Sequence, residues 1–232
     1  MTAKETSLKQ SRPKESRTAE TRVLEPTALN RGERKLRTRT AIMAAALALM
    51  GEGRGFGALS LREITARAGV VPATFYRHFA NLDELGFALV EESGITLRRL
   101  LRDVRRTGLP PTSMLLSSVK IFRQFIEDHR AHFVFVSTER SGGSPALRAA
   151  VRREEAHFRH ELVLDLRQLG LMPTLSSQTL EMTCGLVVST MMLSAAELLD
   201  LPTGQPALER EWIDSFVRQL RLIFLGARAW RE

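Results

Sequence analysis

The sequence predicts an all-α protein with an N-terminal three-helix domain followed by a larger helical bundle. Apolar residues recur at intervals of three and four along most of the 232 residues, which is the spacing of a buried helix face. The separators are rich in Gly and Pro, as in RSGGSP, GLMPTLS and DLPTGQP, and such segments end helices. The segment HFVFVST comes nearest to a strand, but its length and its position after a helical stretch favour a short helix.

Positive charge is concentrated in the first third of the chain, whose net charge is +8 overall. Residues 1–82 contain 15 Lys and Arg against 7 Asp and Glu, whereas residues 83–232 contain 19 of each. This asymmetry favours a polyanionic partner for the N-terminal part, either nucleic acid or an anionic membrane surface.

Composition excludes several classes of protein. A single cysteine, Cys184, cannot form an intrachain disulfide and fits a reducing cytoplasm. We expect no signal peptide, because the first 40 residues contain no apolar run. The runs AIMAAALALM and LVVSTMMLSAAELL are shorter than the ~20 residues that span a bilayer. We therefore expect a cytoplasmic protein with no membrane partner.

The first predicted helix follows a polar segment. Residues 1–29 are rich in charged and hydroxyl side chains, so we expect a disordered basic arm there. A helix is predicted from about Arg34 to Met50, because its apolar residues share one face. The helix dipole prefers anions at its N-terminal end, so a bound phosphate would stabilise the basic cluster found there. That cluster consists of Arg34, Lys35, Arg37 and Arg39.

The stretch SLREITARAGVVPATFYRHF, residues 60–79, is typical of two short helices joined by a tight turn. Ser60 and Glu63 form a capping box that begins the first helix, and Gly69 permits the positive φ that ends it. Pro72 suits the first turn of the second helix. This is the pattern of a helix-turn-helix, whose second helix enters the DNA major groove. We expect the inward side of that helix to consist of Val71, Phe75 and Phe79.

Polar and small side chains remain on the exposed sides of the second helix. Its small residues would let the backbone approach base edges. Tyr76 and His78 can donate hydrogen bonds to phosphate oxygens and thereby position the helix. The pattern alone leaves open a helical hairpin with a few exposed polar residues and no role in binding.

Helical patterns continue from residue 80 to the end. Asn81 with Glu84 signals the start of a helix that runs to about Arg106. Its apolar stripe includes Leu85, Leu89 and Ile95. Further helices are predicted at about 112–129, 130–139, 145–169, 176–199 and 207–229.

Residues 36–86 resemble the DNA-binding domain of TetR-type transcriptional repressors. AGVVPATFYRHF matches the pattern AGV-x-P-x-T-x-Y-x-HF of that family. The resemblance implies a helix-turn-helix domain over residues 30–86, a ligand-binding and dimerisation domain over residues 87–232, and no enzymatic activity. It implies base contacts by Arg62, Pro72, Ala73, Thr74 and Arg77. It implies phosphate contacts by Thr74, Tyr76 and His78.

One position departs from the family pattern. Many members carry a phosphate-contacting lysine where this chain has Leu82. That contact must be lost or supplied elsewhere, either by the basic arm or by the first helix. For the first helix we predict phosphate contacts by Arg34, Lys35 and Arg37.

A longer resemblance extends into the C-terminal part. SLREITARAGVVPATFYRHFANLDELGFALVEESG and the later ERSGGSPALRAAVRREEAHF are similar to the FabR and DesT branch of the family, repressors of unsaturated fatty-acid synthesis. The likeness implies a long-chain acyl-CoA or acyl-ACP effector and no resident cofactor. We predict an acyl pocket, with two arginines toward the carrier phosphates, formed by Met114, Phe122, Phe125, Phe133, Met191, Met192, Arg140 and Arg148. The alternatives are an ordinary core and a solvated charged face.

The last two predicted helices are strongly apolar. The resemblance implies a homodimer through them, and a twofold dimer requires a palindromic operator. We predict an interface that includes Leu186, Trp212, Phe216, Leu220 and Phe224. The sequence leaves open that this face is an intramolecular core.

Other classes of function have weaker support. Two His pairs have the i, i+3 spacing of metal ligands, but no Cys or acidic residue completes a set, so we predict no metal site. A helical acyl-thioester enzyme would need a nucleophile with a base, and no G-x-S-x-G occurs. A membrane-surface binder using the basic arm, and a TetR-type regulator that senses a different hydrophobic molecule, remain alternatives.

Overall fold

The computed structural model describes residues 30–142, 144–202 and 204–230. These residues form nine α-helices, one short 3₁₀ turn and no strand, which confirms the predicted all-α class. The predicted arm, residues 1–29, lies outside the described residues. The helices are α1 (Arg31–Gly51), α2 (Leu61–Arg67), α3 (Pro72–Phe75), α4 (Leu82–Arg105), α5 (Pro111–Asp128), α6 (Arg130–Ser141), α7 (Pro145–Gln168), α8 (Ser177–Asp200) and α9 (Pro206–Ala229).

Capping boxes determine where the N-terminal helices begin. α1 starts three residues earlier than predicted, because Asn30 accepts a bond from the Glu33 amide at 2.9 Å while the Glu33 carboxylate accepts one from the Asn30 amide at 2.8 Å. Ser60 and Glu63 form the same reciprocal arrangement before α2, as predicted.

The inward side of the helix-turn-helix differs from the prediction at one residue. Phe75 and Phe79 are buried as expected, but Val71 is 64% exposed. Val71 is the extended N-cap of α3, so helical spacing does not apply to it. Ile95 is also exposed, because the six-residue step from Leu89 turns it to the other side of α4.

The N-terminal domain and the bundle share one hydrophobic core. The rings of Phe56, in the loop after α1, and Phe135, in α6, lie 5.0 Å apart. Gly86 allows Leu147 of α7 to approach, since a Cβ at residue 86 would lie 2.6 Å from Leu147 Cδ2. The predicted domain boundary after Gly86 falls within α4, whose first half packs in this shared core.

α4 and α7 run side by side and are joined by a series of ion pairs, which we call the ion ladder. Arg98 Nε lies 3.3 Å from Glu161 Oε1, and Arg105 Nε donates to Asp165 Oδ2 at 2.9 Å. Residue numbers of the paired side chains increase in the same direction along both helices. The ladder therefore fixes one register between α4 and α7. The pairs are Arg98–Glu154, Arg98–Glu161, Arg102–Glu161 and Arg105–Asp165.

Most of the predicted dimer residues lie in the core of their own chain. Trp212, Phe216 and Leu220 are buried, and Trp212 Nε1 donates to the Ser194 carbonyl at 2.9 Å. They form an intramolecular core because this side of α9 packs against α5 and α8. The predicted interface is therefore wrong for these three residues.

The opposite sides of α8 and α9 carry exposed apolar side chains, which we call the apolar stripe. By length and hydropathy α8 could cross a bilayer, but half of its most apolar window is buried, as in a core helix. Leu186, a predicted interface residue, is 54% exposed on this stripe. The stripe consists of Met182, Leu186, Leu193, Leu222 and Leu225.

Candidate functional site

The exposed side of α2 and α3 brings the predicted base contacts together. Gly69 has a φ of 66°, which makes the tight turn between the two helices. α3 is only four residues long and is followed by a turn to Phe79. Thr74 is half-buried and the other four predicted base-contacting residues are exposed. Tyr76 and His78, which are among the predicted phosphate contacts, lie at the end of this surface. We call the surface the reading face, and it comprises Arg62, Pro72, Ala73, Thr74, Tyr76, Arg77 and His78.

Tyr76 and His78, two of the predicted phosphate-contacting residues, differ in environment. Tyr76 is 61% exposed, and its ring packs edge-on against Phe75 at 5.8 Å, so the core holds the ring at the surface. His78 is half-buried, and burial, followed by the nearby charges of Lys35, Arg39 and Arg77, lowers its pKa. A phosphate at this position would offset that excess of positive charge.

Arg39 holds the turn after α3 against α1, a role that the sequence did not reveal. Its Nη1 donates to the His78 carbonyl at 3.0 Å, and its guanidinium lies 4.3 Å from the centre of the Phe79 ring. The sequence pattern that indicates this role is the position of Arg39 three residues before the buried Ile42, on the same side of α1.

Arg34, Lys35 and Arg37 are exposed on the first turns of α1, where a DNA backbone could reach them.

Arg54 fixes the start of α2 against the preceding loop, and it too was missed. Its Nη1 lies 2.7 Å from Glu63 Oε1, and its Nη2 donates to the Ala58 carbonyl at 3.0 Å. Bonds from Arg54 and Ser60 lower the pKa of Glu63 to about 2. The capping carboxylate therefore stays charged, and α2 begins at a defined place.

A second site lies in the bundle, where α4, α5, α7, α8 and α9 enclose a cavity of about 410 Å³. This volume falls within the ~300–1,000 Å³ of small-molecule sites. The last residues of α4, the first of α5 and the last turns of α9 form one end of the cavity, and the middle of the bundle forms the other. The inner wall is apolar and includes Leu101, Met114, Phe122, Phe158, Met191 and Phe216.

Three arginines lie at the outer end of this cavity. Arg105, the last residue of α4, is only 6% exposed and is paired with Asp165. Arg221 and Arg228 on α9 are exposed at the rim. Neither rim arginine forms an ion pair within the described ranges. The cavity thus combines an apolar interior with a cationic entrance.

Two family models match the parts of the chain that carry these sites. Residues 42–89 match the bacterial regulatory proteins of the tetR family, and residues 111–220 match the tetracyclin repressor-like C-terminal domain. The chain belongs to the TetR family. TetR-family proteins are transcriptional regulators and not enzymes, so the reading face is that of a DNA-binding regulator.

Solved structures of other regulators have the same fold. A TetR-family transcriptional regulator from Streptomyces coelicolor shares 21% identity, with 84% of each chain covered and a TM-score of 0.64. The fatty acid degradation regulator FadR from Bacillus halodurans shares 14% identity, covering 81% of this chain and 94% of its own, with a TM-score of 0.64. FadR from Bacillus subtilis, in complex with stearoyl-CoA, shares 14% identity, covering 81% and 98%, with a TM-score of 0.61.

The cavity of this TetR-family chain contains three of the predicted pocket residues: Met114, Phe122 and Met191. Phe133 and Met192 instead line an adjacent cavity of about 50 Å³. Phe125 lies in the core, stacked on the His129 ring at 4.1 Å. Phe224, predicted at the dimer interface, lines the large cavity.

The two predicted headgroup arginines lie away from this cavity. Arg140 Nε donates to Glu155 at 2.6 Å, and Arg148 Nη1 donates to the Gly142 carbonyl at 2.9 Å, so each is held at the α6–α7 connection. The rim arginines were missed because α9 was assigned to dimerisation. Their seven-residue spacing, which places Arg221 and Arg228 on one side of α9, was the available signal.

Within the described residues, no three His, Cys, Asp or Glu side chains are grouped closely enough to hold a metal ion. His132 lies beside His129, with ring centres 6.1 Å apart. Burial, and secondarily the charge of His129, lowers the pKa of His132 to about 4. This histidine is therefore neutral at physiological pH.

Proposed function

We propose that this TetR-family protein is a repressor that binds a palindromic operator as a homodimer and responds to a long-chain acyl thioester. The carrier is coenzyme A or acyl carrier protein. The cytoplasm, where bacterial DNA lies, is its place of action. The controlled genes are those of unsaturated fatty-acid synthesis and desaturation, as the likeness to FabR and DesT implies.

The single observation that carries the effector proposal is the composition of the cavity. Its interior of Leu, Met and Phe side chains suits a flexible aliphatic chain. Arg221 and Arg228 at its rim suit the phosphates of the carrier, since guanidinium groups pair well with phosphate. An acyl thioester has these two parts in this order.

The similar structures support a fatty acyl effector without identifying the genes. The FadR from Bacillus halodurans is described as a fatty acid degradation regulator, and that from Bacillus subtilis as bound to stearoyl-CoA. At 14% identity the likeness itself shows the shared fold, and the fatty acyl group comes to this chain only as part of the proposal. The assignment to fatty-acid synthesis rests on the sequence resemblance alone.

α4 gives the proposal a mechanism. Leu85 and Leu89 in its first half pack in the core shared with the reading face, while Leu101 and Arg105 in its second half line the cavity. A ligand that favours one position of α4 would change the separation of two reading faces in a dimer. Operator affinity would then change through a shift between two populations.

The test is a binding assay on operator DNA. Fluorescence anisotropy would use fragments from the upstream region of the protein's own gene and from desaturase promoters, with and without palmitoyl-CoA and oleoyl-CoA. We expect tight, salt-sensitive binding to at least one palindromic fragment and a shift in affinity of about tenfold with an acyl-CoA.

Matched variants assign that shift to the cavity. We expect Arg221→Gln/Arg228→Gln to bind DNA normally and to respond only at higher acyl-CoA concentration. Arg152→Gln/Arg153→Gln makes the same charge change at exposed positions outside the cavity and should respond like the wild type. Operator binding that ignores acyl thioesters but responds to another hydrophobic molecule would favour the alternative regulator.

A further inference from the structure

We propose that Arg105 recognises the acyl carbonyl oxygen of the effector, as a hydrogen-bond donor placed between the apolar interior and the cationic rim. The proposal rests on the proposed function of the cavity, and it identifies the ligand atom that the protein recognises. It makes Arg105 a specificity-determining residue that distinguishes an acyl thioester from an alkyl chain of equal length.

The hydrogen bonds of Arg105 leave one of its nitrogens for a ligand. Asp165 Oδ2 accepts from both Nε and Nη2, with the Nε bond at 2.9 Å. The third nitrogen, Nη1, donates to no residue in the described part of the chain. Because Arg105 is nearly buried and lines the cavity, a bound molecule can supply the missing acceptor.

The charge of the pair selects the kind of acceptor. Asp165 is as deeply buried as Arg105 and neutralises it. A second carboxylate beside this pair would face Asp165 in a medium of low dielectric, where like charges repel strongly. A neutral carbonyl oxygen has no such penalty. The site therefore suits a thioester carbonyl better than the carboxylate of a free fatty acid.

The order of groups along the cavity agrees with one ligand orientation. The aliphatic chain would lie against Phe122, Phe158 and Met191 in the interior, and the carbonyl oxygen would reach Arg105. The carrier phosphates would then meet Arg221 and Arg228 at the rim.

The experiment compares two ligands that differ at the carbonyl alone. Palmitoyl-CoA has a thioester carbonyl, and S-hexadecyl-coenzyme A has a methylene in place of that carbonyl. Isothermal titration calorimetry would measure both dissociation constants on the full chain. We expect the wild type to bind palmitoyl-CoA about tenfold more tightly, because one hydrogen bond to a charged donor is lost in the thioether. Hexadecanoate should bind more weakly than palmitoyl-CoA.

Two variants test whether Arg105 causes this preference. Arg105→Met/Asp165→Leu removes the buried pair as a unit, a replacement that proteins often tolerate, and should bring the two ligands to within about twofold. Arg102→Met/Glu161→Leu removes the neighbouring pair of the ion ladder, which does not line the cavity, and should keep the tenfold preference. If the first variant fails to fold, Arg105→Lys should also lose the preference, because the lysine side chain is one atom shorter and its ammonium, held by Asp165, does not reach the position of Nη1.

The outcomes separate this inference from the proposed function. Equal binding of both ligands by the wild type, or a preference that survives Arg105→Lys, overturns the role of Arg105 while the acyl effector stands. Failure of the wild type to bind either coenzyme A derivative or palmitoyl-acyl carrier protein overturns the acyl effector itself and the role of Arg105 with it.

Discussion

Tyr76 is held in place by the core, and its side chain is still exposed on the reading face. Its ring packs on Phe75, and the rest of the side chain is exposed. Tyr76→Phe and Thr74→Ala should each weaken operator binding about tenfold, since each removes one hydrogen bond to a charged phosphate, which contributes about 1.5 kcal/mol or more. The slope of affinity against salt should stay unchanged, because neither variant removes a positive charge from the protein.

Fluorescence anisotropy at two or more salt concentrations checks this prediction. Thr174→Ala, on the exposed loop between α7 and α8, is the matched control and should bind operator like the wild type. Wild-type affinity in both Tyr76→Phe and Thr74→Ala would contradict the docking of the reading face on DNA.

His132 should make the stability of the protein depend on pH. Its pKa is about 4 in the folded state and about 6.5 when unfolded, so the unfolded chain binds the proton first. The free energy of unfolding should therefore fall as the pH drops from about 6.5 to 4, by about 2 kcal/mol. Urea unfolding measured across this range would show the decrease.

His132→Phe should remove most of that decrease, because Phe keeps the ring and does not titrate. His157→Gln changes an exposed histidine, and the free energy of unfolding of this variant should fall with pH as it does in the wild type. A His132→Phe protein with the same pH dependence as the wild type would show that another group is responsible.

Cys184 should be chemically inert in the folded protein. It is fully buried, and burial raises the pKa of its thiol to about 12. Because the thiolate is the reactive form, a thiol reagent should label Cys184 only after denaturation. Rapid labelling of native protein at pH 8 would indicate that the end of the bundle around α8 opens readily.

Side-chain roles were the least predictable part of the site. Helical spacing placed Tyr76 and Arg77 on the reading face, because it separates exposed from buried positions, and the family resemblance added Arg62. It could not show that Arg39 bonds the His78 carbonyl, since that contact joins residues 39 apart in the chain. The exposure of Val71 followed from its position just outside a helix, where periodicity no longer applies.

At the scale of elements, the ion ladder links the second half of α4 to α7. Gly94 makes room for the ladder, because a Cβ at residue 94 would overlap the carboxyl group of Glu154. Gly94→Ala should displace Glu154 from Arg98 and lower the free energy of unfolding by about 1–3 kcal/mol, despite the better helix propensity of Ala.

Gly51 provides the matched control for this element. It is the last residue of α1, and a Cβ there meets no atom within 4 Å. Gly51→Ala should be neutral or slightly stabilising. Thermal and urea unfolding would compare both variants, and equal stability of Gly94→Ala and the wild type would show that Glu154 adapts without loss.

Helix positions were largely predictable, and their partners were not. The predicted bounds of the helices from α4 onward agree with the structure to within about two residues, because Gly, Pro and Asn mark the ends. Which helices would enclose a cavity depends on how they pack, and no local pattern encodes that. The sequence therefore did not reveal Arg221 and Arg228 at the rim of the cavity, although it predicted part of the apolar wall, namely Met114, Phe122 and Met191.

At the scale of the whole molecule, the apolar stripe on α8 and α9 should form the dimer interface. Leu193→Glu should produce a monomer, because a charge at the centre of an apolar interface is strongly unfavourable. Leu164→Glu makes the same change at an exposed position on α7 and should stay dimeric. Light scattering after gel filtration measures the mass of each.

Operator binding gives a second measure of the dimer. Leu193→Glu should bind a single half-site weakly and lose the tight binding that two linked half-sites provide. A Leu193→Glu protein that keeps the mass of a dimer would move the interface elsewhere on the bundle.

The ring contact between Phe56 and Phe135 has a practical consequence for building biosensors from this protein. A chimera could join residues up to 105, which carry the reading face, to a foreign ligand-binding domain. Such a chimera would separate these rings and leave Phe56 and Gly86 facing solvent or an unmatched surface. Such a fusion should aggregate unless the graft also carries α6 and the start of α7, so the smallest transferable unit of this regulator is discontinuous in sequence.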